Sequence, residues 1–141
     1  MKRYAWTVIV VLSACVAPAW NASQYHAKLV ATAEEAVSAI QTVRLALAEV
    51  EQHTLFSNAV DVAISNQEDA LSSVSGTFAS IQPPHGTLDD DRRKVLDLLD
   101  KAQTEVEQAR IEYRRGDIAS ARAHIESLTS TEHQLQKIAD S

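Results

Sequence analysis

Apolar residues recur at alternating three- and four-residue spacings through almost the whole chain beyond residue 23, a period that suits helices and excludes strands. Tyr25, Leu29, Ala33, Ala36, Ile40, Val43, Leu47 and Val50 make a first run. A second comprises Val60, Ile64, Leu71, Val74, Phe78 and Ile81 with polar Gln67 at one step, and a third Leu88, Val95, Leu99, Ala102, Val106, Ala109 and Tyr113 with Arg92 at one step. Ile118, Ala121, Ile125, Leu128, Glu132, Leu135 and Ile138 form the fourth. Each run gives one apolar seam per helix, the pattern of helices packed side by side. No stretch alternates with a period of two, so the fold class is all-α.

The breaks between seams set the topology. Pro83-Pro84-His85-Gly86 cannot continue a helix, because proline lacks a backbone donor and its ring clashes with the preceding turn. Thr87 is then placed to cap the next helix, with Asp89, Asp90 and Asp91 at its positive dipole end. Gly116-Asp117 makes a second turn, glycine ending one helix and aspartate capping the next. A phase change between His53 and Asn58 marks the third boundary. The expected helices are 23–52, 58–81, 88–115 and 117–139, and short connections make neighbours antiparallel. The expected form is an up-down-up-down four-helix bundle; the alternative is helical hairpins that complete their core by dimerising.

The N-terminus has a different character. Lys2 and Arg3 precede the uncharged run Ala5–Leu12, the pattern of an export signal. It ends in Leu12-Ser13-Ala14-Cys15, which resembles the lipobox of bacterial lipoproteins. The resemblance implies removal of residues 1–14 and a lipid on the thiol of Cys15, with residues 15–22 as a tether and 23–141 as the folded domain. Cleavage after Ala19, at the small-x-small site Ala17-Pro18-Ala19, would instead give a free protein beginning at Trp20. Cys15 is the single cysteine of the chain and cannot form an internal disulfide, so lipidation gives it a purpose. The uncharged stretch from Tyr4 to Trp20 holds Pro18 and, at 17 residues, is shorter than the roughly 20 apolar residues that a spanning helix needs. Val16, where an aspartate favours inner-membrane retention, implies the periplasmic face of the outer membrane in a Gram-negative host. In a Gram-positive host the destination is the outer face of the plasma membrane.

Loss of residues 1–14 leaves 11 basic against 19 acidic residues, a net charge of −8, which argues against nucleic acid as a partner. Candidate chemistry is sparse. Consecutive helical residues point about 100° apart, so Asp89, Asp90 and Asp91 cannot converge on one ion. The chain has neither the Glu-x-x-His of di-iron bundles nor a haem-attachment motif. An up-down bundle brings His26, His85 and His133 to one end, where they could bind zinc or stand as unrelated surface groups. No nucleophile–base pattern appears, so no enzymatic activity and no cofactor is expected.

Ala109, Tyr113, Gly116-Asp117-Ile118, Ala121 and Ile125 resemble the turn of a tetratricopeptide repeat. The match occurs once over about 17 residues, whereas such repeats must stack to make a core. Convergent hairpin chemistry explains it. Helix 58–81 carries only Asp61, Glu68 and Asp69 as charges, which makes its polar side the candidate protein-contact face. The expected role is a lipid-anchored, noncatalytic interaction or structural component of the bacterial envelope, held to the membrane by Cys15 and meeting an envelope protein or itself. The alternative is an exported bundle that binds a small ligand or a metal.

Overall fold

The computed structural model describes residues 21–51, 57–84 and 86–141. These form five α-helices with no strand among the described residues: α1 (Ala22–Glu51), α2 (Ser57–Ser80), α3 (Asp89–Arg114), α4 (Ile118–Ser127) and α5 (Thr129–Ala139). The signal-like segment, Cys15, His53 and His85 lie outside the described residues.

Each helix begins and ends for a visible reason. Asn21 accepts the backbone N–H of Gln24 through its side chain (2.9 Å), capping α1. Thr87 does not cap α3 as the sequence suggests. It lies inside a short 3-10 turn, Gly86–Leu88, and Leu88 takes the N-cap position without a side-chain bond. Asp89, Asp90 and Asp91 occupy the first turn of α3, where their charge suits the helix dipole. The Gly116-Asp117 turn forms as expected. Gly116 adopts φ +83°, the left-handed region that a side chain disfavours, and Asp117 caps α4 by accepting the Ser120 N–H at 2.9 Å. That N–H, followed by the Ser120 hydroxyl, holds the Asp117 carboxyl below its usual range.

The expected helix 117–139 is two helices. The chain breaks at Leu128, whose N–H bonds back three residues to the Ile125 carbonyl. Neither glycine nor proline causes the break. Ser127 and Thr129 turn their hydroxyls onto the carbonyls of His124 (2.6 Å) and Glu126 (2.8 Å), competing with the regular backbone ladder. Leu128 itself is fully buried and pins the bend to the core.

Contacts between elements fix the neighbours. Helix α1 packs on α2 and α5, and α3 packs on α2 and α4. Tyr25, early in α1, meets Phe78, late in α2, with ring centroids 6.0 Å apart. Arg92, early in α3, reaches the end of α2, while Arg114, late in α3, reaches Asp61 near the start of α2. His26 near the start of α1 lies by Ser141 at the chain's end (3.3 Å), and Arg44 later in α1 meets Glu132 in α5 (2.6 Å). These pairs therefore run antiparallel. The seams supply the core, from Tyr25, Ile40 and Leu47 through Ile64, Leu71 and Phe78 to Leu99, Ile125 and Leu135.

Candidate interaction surface

Arg92 and Glu132, two polar interruptions of the seams, fasten helices to one another. Arg92 occupies a seam position because its guanidinium donates to the carbonyls of Ala79 (2.6 Å) and Ile81 (3.3 Å), satisfying the open end of α2. Glu132 pairs with Arg44 and accepts from the Gln41 side-chain amide at 3.0 Å, tying α5 to α1. Gln67 is half-buried. His124 Nδ1 lies 2.7 Å from the Glu105 carboxylate, joining α4 to α3.

Two further arginines of α3 neutralise α2. Arg114 grips both carboxylate oxygens of Asp61, at 2.6 and 3.1 Å, and Arg110 grips both oxygens of Glu68. Such two-pronged pairs are the strong form of a charged hydrogen bond. The Arg114 bond holds the Asp61 carboxyl below its usual range, and the Glu68 bond raises the Arg110 guanidinium above its own. Two of the three charges on α2 are thereby spent on α3. Only Asp69 of the three is fully exposed.

The outward side of α2 is left nearly neutral. Ala59, Val62, Asn66, Ala70, Ser73, Gly76 and Thr77 are exposed there, and Ala63 and Val74 are partly so. Across the groove, α1 presents Ala31, Ser38 and Leu45, seven residues apart and thus in one register. Toward the end of the pair away from the α1–α2 connection, a groove is lined by Lys28, Ala31, Thr32 and Glu35 from α1 and by Ser73, Val74, Thr77 and Ile81 from α2. Leu45 and Val62 are the two large hydrophobic side chains that the described surface leaves most open, at 62% and 55% exposure. They lie on adjacent antiparallel helices, at similar distances from the α1–α2 connection. An apolar pair on a weakly charged face is a contact surface in search of cover.

Sequence reasoning singled out α2 from its low charge but missed Leu45 and Val62. The available signal was a large aliphatic residue off the buried seam of each helix. His26 and His133 are exposed, His85 is outside the described residues, and no three His, Cys, Asp or Glu side chains among the described residues come together to hold an ion. No described helix is long and apolar enough to cross a membrane. Comparison of the chain with family models, curated proteins and solved structures finds no match.

Tyr25 is 1% exposed, and its buried hydroxyl has no hydrogen-bond partner among the described residues. Burial pushes this phenol above its usual range, with Arg92 opposing the shift and Asp89 and Asp91 adding to it. Burial likewise raises Tyr113, with Asp61 adding to the effect.

Proposed function

We propose that this chain is a lipid-anchored helical docking module of the bacterial envelope, noncatalytic, which presents its α1–α2 face to a protein partner. In this reading α1, α2 and α3 are three arms of an up-down-up-down four-helix bundle. Helices α4 and α5 together make the fourth, bent at Leu128. The antiparallel neighbours α1–α2, α2–α3 and α1–α5 favour that arrangement over hairpins that need a second copy to close their core.

The observation that carries the docking role is the exposure of Leu45 and Val62, next to an α2 helix whose Asp61 and Glu68 are held by Arg114 and Arg110. The anchoring role rests on Leu12-Ser13-Ala14-Cys15 and on a lone cysteine. Two or three acyl chains on Cys15 would make attachment stable where one would not. Helix α1 starts shortly after the anchor, and Leu45 lies 23 residues beyond Ala22, roughly 35 Å along the axis. The apolar pair then stands at the end of the module away from the bilayer, within reach of a partner in the aqueous space. The periplasmic side of the outer membrane, or the outer face of a Gram-positive plasma membrane, is the corresponding location.

Metabolic labelling with a clickable fatty acid tests the anchor. The wild-type chain is expected to take up label and to sediment with membranes, and Cys15→Ser to do neither. A labelled serine variant, or an unlabelled wild type trimmed to begin at Trp20, would contradict the anchoring.

A further inference from the structure

We infer that the partner element seated on the α1–α2 face is an amphipathic helix with an apolar seam and lysine or arginine along its flanks. The inference rests on the docking role proposed above and names the chemistry of its partner. A groove between two antiparallel helices accepts a third helix laid along it, anchored at residues one turn apart. Ser73 and Thr77 line the groove, and Ala70, Asn66 and Ala63 continue the same row of small side chains along α2 toward Val62 at three- and four-residue steps. Gly76 stands on the outer side of α2, and a Cβ built there would meet nothing within 4 Å, so packing inside this chain does not require a glycine.

Charge selects the kind of helix. Helix α2 has no basic residue, and Asp69 is exposed at its middle. Glu34 and Glu35 are exposed on α1, where Lys28 is the opposing cation and Arg44 is turned away onto Glu132. The rim is therefore anionic, and cationic flanks complement it. A second copy of this chain fits less well. The chain carries a net charge of −6, and a two-fold antiparallel pairing through the middle of α2 would set Asp69 against its own counterpart.

The test uses the folded protein and two synthetic helices of about 20 residues, long enough to hold helical structure. Both carry the same Leu/Ala seam, one with lysine flanks and one with glutamate flanks. Fluorescence anisotropy is expected to show binding of the lysine-flanked helix, weakening as salt rises. The glutamate-flanked helix should bind about tenfold more weakly or worse, and the paired change Leu45→Ser/Val62→Ser should cost the lysine-flanked helix a similar factor. Asp97→Asn, on the α3–α5 side, should leave binding unchanged, which separates seating on the face from general attraction to an acidic protein. Equal binding to wild type and the paired variant, or equal binding of the two helices, overturns the inference. So does a dimer in sedimentation that dissociates on Leu45→Ser/Val62→Ser, which would assign the face to a second copy. If neither helix binds while the face still crosslinks to a partner in cells, the cationic-helix chemistry fails and the docking role stands.

Discussion

Replacing Phe78 with alanine is expected to lower the stability of the fold by about 3–5 kcal/mol, the usual range for deleting a fully buried aromatic side chain. Phe78 has no exposed surface, and it shares the end of the core with Tyr25, the two rings tilted by 38°. Two effects add in the variant: lost transfer free energy, and a void beside the Tyr25 ring, next to the α2 end that Arg92 holds. Urea denaturation measures the loss, and a change below about 1 kcal/mol would mean that this end of the core is already loose. Tyr25→Phe provides the matching opposite. It keeps the ring and removes a buried hydroxyl that has no partner among the described residues, so stability should hold or rise by about 1 kcal/mol. A clear loss would show that the hydroxyl has a partner, such as a buried water.

The second large effect is expected at the bend between α4 and α5. Leu128→Ala should cost about 2–5 kcal/mol, because the side chain is fully buried where two helix ends meet. The bend directs Glu132 onto Arg44 and Gln41, so α5 depends on it for its contacts with α1. Loss of a single cooperative transition is therefore a further expectation. Far-UV circular dichroism followed through denaturation checks both points. A loss below 1 kcal/mol with one sharp transition would mean that α5 docks independently of Leu128.

Much of the helical layout was legible in the residues. Tyr25, Leu29, Ala33 and their successors, and the equivalent runs in α2 and α3, place the buried stripes, and the Gly116-Asp117 pair marks its turn. The bend at Leu128 was not legible. Serine and threonine occur in helices and loops alike, and only the hydrogen bonds of Ser127 and Thr129 show which role they take. Arg92 stands at a seam position in the sequence, but its purpose depends on carbonyls 11 and 13 residues away that a turn brings back. The candidate surface followed the same division. Low charge on α2 could be read directly, whereas its near-neutral outward side depends on Arg110 and Arg114 meeting acids 42 and 53 residues earlier. Leu45 and Val62 lie off the buried seams of their helices, and antiparallel packing sets them at the same end of the α1–α2 pair.

Site-specific photo-crosslinking in intact cells tests whether that face is where the protein meets its partner. A crosslinking side chain placed at Leu45 or Val62 should give a discrete higher-mass adduct, and the same group at Thr104 or Lys101, both exposed on α3, should not. No adduct from Leu45 and Val62, or equal adducts from all four positions, would contradict the docking role.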